Sequence, residues 1–423
     1  MRQFIHHLNF FCMIFLLACT PQTPPESVKE TPEPQLSLED RARQIHDNII
    51  VLDTHIDIPP EFATEEVDPG ELGPFQVDLP KMEQGGLNTG FFIVYVGQTA
   101  RTEQNYAKAQ EEAMTKFNGI RRMTNELYPE RIELAHSVAD VRRIRKAGKL
   151  VALIGIENGF VIGKDLSLLK TYYDLGGRYI SLAHVGHNDI ADSSSANPDN
   201  GDEEAEHDGV SEFGREVIAE MNRLGIMVDV SHISKQSMLD AARLSKAPII
   251  ASHSSVKSLM DVSRNMDDEE LLALKENGGV VQITAVDFFV KQHPLEKDAL
   301  YVAYYDEVSK DPNLSPKEVV MKVSQRVTEL DKKWSKATVP EFVDHIDYAV
   351  DLIGIDHVGI SSDFDGGGGI AGWDDASETF NVTLELVHRD YSEEDIAKLW
   401  GENLLRVLSE VEQVAAASSQ KNR

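Results

Sequence analysis

The sequence predicts an α/β fold, a (β/α)₈ TIM barrel forming a single catalytic domain with an insertion before the last strand. Three observations predict it. From Leu38 onward, apolar runs alternate with helical patterns. The runs are continuous in Val, Ile and Leu rather than alternating, as expected of parallel strands buried on both faces. Glycines stand just ahead of several of them, at Gly148, Gly176-Gly177, Gly225 and Gly278-Gly279, where a helix stops and feeds the next strand. Eight such repeats over roughly 350 residues fit the span of these barrels once insertions are allowed. A doubly wound open sheet is the alternative, but no Gly-rich dinucleotide or phosphate-loop signature follows the first strand.

In chain order, residues 1–18 read as an export signal. Arg2 supplies a thin positive region, and Leu8 to Ala18 is apolar apart from Asn9. That run falls short of the ~20 residues a permanent spanning helix needs. It ends in Leu16-Leu17-Ala18-Cys19, which resembles the bacterial lipobox, so Cys19 is the expected lipidation site and mature N-terminus. Residues 19–37, rich in Pro, Glu and Thr, cannot bury enough apolar surface to fold and read as a tether. The expectation is a lipoprotein anchored to the bacterial cell envelope, with its body outside the cytoplasm.

The barrel is expected over residues 38–410. Its strand candidates are Ile49–Ile58, Thr89–Val96, Leu150–Glu157, Tyr179–His184, Ile226–His232, Pro248–His253, Gly279–Val286 and His357–Asp363. Between them lie helical patterns at Glu103–Met123, Val138–Ala147, Leu166–Leu175, Glu212–Leu224, Lys235–Leu244 and Asp267–Glu276. Phe288 to Pro340 is then the insertion, helical from Pro316 to Trp334. Residues 411–423 read as a fraying helix end and a disordered tail.

Composition narrows the function. Of 423 residues, 41 are basic and 71 acidic, a net charge of −30. Such a surface repels phosphate backbones and argues against nucleic acid as a partner. The two cysteines, Cys12 and Cys19, both precede the body, so any metal site there must use His, Asp and Glu.

Those residues stand where a barrel puts its chemistry, at the C-terminal ends of its strands. The first strand closes with His55 and Asp57, two apart and so on one face. The third closes with Glu157, the fourth with His184, the fifth with His232, the sixth with His253 and the eighth with Asp363. Each alone reads most simply as a satisfied histidine or a capping carboxylate, but a barrel converges all seven on one pocket. Histidines and carboxylates without thiolates suit zinc or a similar divalent ion. The donors are too many for one tetrahedral ion and suit two, bridged by a shared carboxylate and a water. Hydrolysis of an amide-like bond is the chemistry such a pair serves.

These residues resemble the membrane dipeptidases of peptidase family M19, among the amidohydrolase-like metal-dependent barrels. The matching pieces are Asp53-Thr-His-Ile-Asp57, Gln76-Val-Asp-Leu-Pro80, Gly155-Ile-Glu-Asn-Gly159, Ser181-Leu-Ala-His184, Asp229-Val-Ser-His232, Ser252-His-Ser-Ser255, Arg264-Asn265 and Val358 through Gly366. They keep the family's order over roughly residues 45–405. The resemblance implies zinc-dependent hydrolysis of dipeptides. His55 and Asp57 would hold one zinc, His232 and His253 the other, with Glu157 and a water or hydroxide bridging them. Asp363 would be the acid/base, His184 would hydrogen-bond the oxyanion, and Arg264 would grip the substrate carboxylate. Asp53, on the same face as His55 and Asp57 by its spacing, reads as support for these ligands rather than as a third one. A hydrolase of another small amide or a β-lactam on the same site is the alternative, and a non-catalytic binding lipoprotein the third reading. The resemblance leaves a homodimer open, but not a disulfide-linked one, since the body has no cysteine. After His184 the chain departs from the family into an acidic loop, Asp202 to Asp208, which reads as solvated surface. His187 is either a pocket residue or a loop histidine.

Overall fold

The computed structural model describes residues 36–421; the export segment, Cys19 and most of the tether lie outside them. Leu38–Arg423 forms one compact unit. Among the described residues no helix is long and apolar enough to cross a membrane.

The sheet is parallel throughout. Its strands are β1 (Leu52–Asp57), β2 (Thr89–Tyr95), β3 (Ile132–Leu134), β4 (Leu150–Glu157), β5 (Gly177–Ser181), β6 (Met227–Asp229), β7 (Ile250–Ser254), β8 (Val280–Thr284) and β9 (Val358–Ser361). The path runs β1-β2-β4-β5-β6-β7-β8-β9, with β3 paired only to β4. Phe364, just past β9, bridges back to Ile56, and its carbonyl accepts the Asp57 N–H at 2.9 Å. The eight expected strands therefore come round into a barrel, and the three-residue β3 is an addition. Three expected strands end early: His184, His232 and Asp363 lie two or three residues beyond β5, β6 and β9. The backbone explains two of these ends. His232 (φ 70°) and Asp363 (φ 61°) take left-handed conformations that no ladder can continue.

A second correction concerns β1. Asp53 pairs with Gly90 and Ile56 with Phe92, three steps on β1 against two on β2. The extra residue is a bulge, and it flips side-chain alternation between Leu52 and Asp57. Both His55 and Asp57 reach the barrel mouth, but two-residue spacing does not put Asp53 on their face. Asp53 supports the strand laterally, its Oδ1 accepting the N–H of His55 at 3.2 Å and of Ser362 at 3.0 Å.

The helices Glu212–Leu224 and Lys235–Leu244 match expectation because their signals are local: Ser211 and Ser234 cap their N-termini, and Gly225 ends the first at φ 91°. The insertion holds two long helices, Leu295–Ser309 as well as the expected one, which runs Pro316–Asp331 behind a capping box of Ser315 and Glu318. The tail departs most from expectation. A helix spans Asn403–Lys421, so residues 411–421 are ordered. Its Leu404, Leu405, Leu408 and Val411 join Leu52, Phe91, Val151 and Val280 in one buried cluster. These are residues from the first halves of their strands, so the helix seals the end of the barrel opposite the site. Burying Val411 completely contributes about 1.5–3 kcal/mol, which holds the helix past the point where its sequence turns polar.

Candidate active site

The C-terminal mouth of the barrel collects all seven strand-end residues. His55 Nε2 lies 3.4 Å from Glu157 Oε2, 3.5 Å from Asp57 Oδ2 and 3.8 Å from Asp363 Oδ1. The other oxygen of Glu157, Oε1, faces three imidazoles: Nε2 of His232 at 2.9 Å, of His253 at 3.3 Å and of His184 at 3.7 Å. Glu157 thus stands between two sets of donors and turns one oxygen to each. Three overlapping groups have ligand atoms all within 4.8 Å of one another: His55 with Asp57 and Glu157, His55 with His253 and Asp363, and Glu157 with His184 and His232. The expected pairing of His232 with His253 rests on their Nε2 atoms, 2.8 Å apart.

Hydrogen bonds behind the imidazoles decide which nitrogens are free. Tyr179 donates its O–H to the Thr54 carbonyl at 3.0 Å, so its oxygen accepts the Nδ1–H of His55 at 2.9 Å. Likewise Ser252 donates to Asp229 Oδ2 at 2.7 Å and accepts from His253 Nδ1 at 2.8 Å. Both rings are therefore held with Nε2 as a lone pair directed into the cluster, the arrangement found behind metal-ligating histidines. Among the described residues, the buried His55 Nε2 has no hydrogen-bond partner, nor does His232 Nδ1. A buried nitrogen left this way costs about 1–3 kcal/mol. A divalent ion at Nε2 would remove that cost for His55, and the donor set fits two such ions.

The electrostatics of the ion-free site divide the imidazoles: His232 and His253 stay neutral, while His55 holds a proton that an ion would displace. Burial, with the Arg264 and His184 charges, holds His232 well below the usual histidine range; burial and His55 do the same to His253. Both are kept neutral, as ligation requires. Burial would lower His55 too, but the Glu157 and Asp57 carboxylates outweigh it and hold it well above its usual range. Burial opposes ionisation of Glu157, yet the surrounding histidines keep it well below the ordinary carboxylate range. Asp363 goes the other way. Burial, reinforced by Asp57 and Glu157 against the pull of His55, pushes it up to about 8. A carboxyl group that changes protonation near neutrality suits a proton carrier.

Arg264, on the loop after β7, donates Nη2–H to the His253 carbonyl at 3.2 Å and lies 5.4 Å from the Phe289 ring centroid. Burial lowers it to about 10, and its Nε has no partner among the described residues. His184 packs between the rings of Tyr95, centroids 4.7 Å apart, and His232, 4.0 Å apart. Burial lowers its pKa. His187 is a loop histidine: its Nδ1 accepts the Ser193 N–H at 2.9 Å and its Nε2 donates to the Glu203 carbonyl at 3.0 Å. In the acidic loop, Asp202 Oδ2 accepts the N–H groups of His187 and Asn197, at 2.8 and 2.9 Å.

Sequence reasoning missed Tyr95 and Tyr179. Tyr95 closes β2, the one early strand whose end carries no ionisable ligand type. Its inward alternation with Phe91 and Ile93 was the available signal. Tyr179 fills the space above Gly155, where any Cβ would strike its ring. Only the fold brings it to His55.

Comparison with known proteins adds an independent line. Residues 39–422 match the family described as membrane dipeptidase (peptidase family M19). Dipeptidase tcpJ of Claviceps purpurea (strain 20.1) is 34% identical over 346 residues, 81% of this chain and 70% of that protein. The crystal structure of the probable dipeptidase PvdM from Pseudomonas aeruginosa is 32% identical with TM-score 0.79, covering 89% of this chain and 99% of that one. Dipeptidase AC, a metallopeptidase of family M19, is 25% identical with TM-score 0.68, covering 86% of this chain and 98% of that one.

Proposed function

The chain belongs to the membrane dipeptidases of peptidase family M19, and on that premise we propose that it is an extracytoplasmic zinc-dependent dipeptidase. One observation carries the reading: the two oxygens of a single carboxylate, Glu157, face different donor sets, His55 and Asp57 on one side and His232 and His253 on the other. A purely structural carboxylate has no need of two sets of buried, hydrogen-bond-oriented imidazoles.

His55 and Asp57 would hold one zinc, His232 and His253 the second, and Glu157 both. Zinc supplies Lewis acidity there, acidifying the attacking water and polarising the scissile carbonyl. The chain's own residues do the rest. Asp363 takes the proton of the attacking water and returns it to the leaving amine. His184, backed by Tyr95, donates to the oxygen that gains charge. Arg264 receives the substrate's free carboxylate on its guanidinium fork. With Arg264 holding the carboxylate one residue from the scissile bond at Glu157 and Asp363, the site measures length: a dipeptide fits, while an internal residue of a longer peptide lacks the carboxylate.

Zinc-loaded protein is expected to release free amino acids from a dipeptide library with L and D residues at the second position. Release from none of them would sink the reading. The anchor has its own test. If Cys19 is lipidated, Cys19→Ser should move the protein from the membrane fraction to the soluble one; unchanged partitioning would remove the lipoprotein proposal and leave the dipeptidase intact.

A further inference from the structure

Of the matching segments, Gln76-Val-Asp-Leu-Pro80 alone supplies no residue to the site. It follows β1 and leads into the helix Leu79–Gly85. That helix explains most of it: Asp78 is the cap, its Oδ1 accepting the Lys81 N–H at 2.9 Å, and Pro80 stands in the first turn. Gln76 is not explained that way. Its side chain crosses to the loop after β9, where Oε1 accepts the Asp365 N–H at 2.7 Å and Nε2 donates to the carbonyls of Gly368 at 2.9 Å and Asp374 at 2.8 Å. Asp365 reciprocates, its carboxylate accepting the N–H groups of Gln76 at 2.8 Å and Val77 at 3.2 Å. Gln76 and Asp365 lie 289 residues apart in the chain, and each side chain binds the other segment's backbone.

The loop so held carries Asp363. Left-handed backbone at Asp363 (φ 61°) and Asp365 (φ 62°) folds it tightly, and the Asp363 carbonyl accepts the N–H groups of Gly366 at 3.1 Å and Gly368 at 2.7 Å. Non-glycine residues keep such a conformation only where their surroundings over-determine it. The loop also has little room to shift. A Cβ on Gly369 would stand 2.6 Å from Gln76 Nε2, and one on Gly366 would stand 2.3 Å from Asp57 Oδ2 and 2.5 Å from Asp363 Oδ1. The backbone thus passes between the Gln76 amide on one side and the two carboxylates on the other, and a retreat from the amide carries Asp363 with it.

We propose that Gln76 is the positioning residue of the acid/base: its amide, clasped with Asp365, fixes the loop that holds the Asp363 carboxyl 3.8 Å from His55 Nε2. The proposal rests on the dipeptidase reading. A proton carrier misplaced by about 1 Å loses about a hundredfold in rate, so a clasp at the base of its loop reaches kcat. The grip on the substrate carboxylate does not depend on that clasp, because Arg264 stands on the loop after β7 and bonds the His253 carbonyl.

The test is a double-mutant cycle read as kcat and KM on one dipeptide, with zinc per chain measured for every variant. Gln76→Met keeps the length of the side chain and loses its hydrogen bonds; Gln76→Glu keeps the acceptor and loses the bonds to Gly368 and Asp374. Either is expected to lower kcat about tenfold while KM stays within about twofold and the zinc content stays at the wild-type value. In an Asp363→Asn background, where the acid/base is already gone, the same change at Gln76 should cost less than about twofold. A merely structural role would cost as much in both backgrounds. An unchanged kcat, a loss carried by KM, a loss matched by missing zinc, or an equal loss with and without Asp363 would each overturn the proposal. Asp365→Asn, which weakens the clasp from its other side, repeats the cycle should the Gln76 variants fail to fold. A wild type inert to every dipeptide would overturn the dipeptidase reading and this one with it, a result visible before any variant is made.

Discussion

Tyr179 shows how much of a candidate metal site lies one bond behind its donors. Its oxygen accepts the Nδ1–H of His55 at 2.9 Å, and that bond leaves Nε2 with its lone pair toward Asp57 and Glu157. Tyr179→Phe preserves the ring and removes only the acceptor. Zinc affinity is expected to fall about 10–100-fold with the fold retained, read by zinc titration of the chelator-stripped protein. Arg264 allows a second separation. Lysine keeps the charge but loses the fork, so Arg264→Lys should raise KM about tenfold on dipeptides while kcat stays within about twofold. An equal loss in kcat would place Arg264 in the chemical step instead. At this scale the sequence was informative about the candidate donors and blind to their supports. His55, Glu157, His232 and His253 are ionisable residues closing apolar runs, which is visible in one dimension. Tyr179 and Asp229 are ordinary strand residues until the barrel closes.

Elements were legible where their signals are local. Serine caps and a left-handed glycine set the Glu212–Leu224 and Lys235–Leu244 helices, and both signals sit within a few residues of the boundary they make. Strand ends were overrun because the left-handed backbone at His232 and Asp363 has no signal in the sequence around it, and the β1 bulge left no mark in the run Val51 to Ile58. The loop after β9 makes a related point. A Cβ on Gly366 would run into Asp57 Oδ2 and Asp363 Oδ1, so Gly366→Ala should cut activity by at least about tenfold through displaced carboxylates, with circular dichroism unchanged. The Asp268–Asn277 helix gives a pH test independent of catalysis. Burial pushes Glu270, whose Oε2 accepts the Asp267 N–H at 2.9 Å, up to about 7 from an ordinary 4.5. Below the unfolded value both states hold the proton and nothing is lost. As pH rises from there through 7 the unfolded chain ionises first, and stability falls. Glu270→Gln keeps an acceptor and cannot ionise. It should therefore stabilise the protein by about 1–3 kcal/mol at pH 8 and leave it unchanged at pH 4, measured by denaturant unfolding at both pH values.

Across the whole molecule, continuous apolar runs and glycines ahead of strands were enough to announce the barrel, because burial on both faces is a property of composition. The polar tail beyond Val411 hid its helix, because what holds it is contact with strands hundreds of residues earlier. Charge works at this scale too. A protein of net charge −30 concentrates Asp57, Glu157 and Asp363 within 3.8 Å of one buried nitrogen, and two divalent ions would compensate that accumulation where no surface counter-ion reaches. Ions that bind the folded site and not the unfolded chain stabilise by mass action, about 2.7 kcal/mol per site at a hundredfold excess over Kd. Stripping the protein with chelator should lower its melting temperature by several degrees, and zinc should restore it with two ions bound per chain, counted by metal analysis. The restoration should weaken in mild acid, since His55, held well above its usual range by Glu157 and Asp57, must give up its proton to ligate. A melting temperature indifferent to chelator and zinc at neutral pH would mean that the cluster holds itself together by proton sharing alone, and the two-zinc assignment would fail with it.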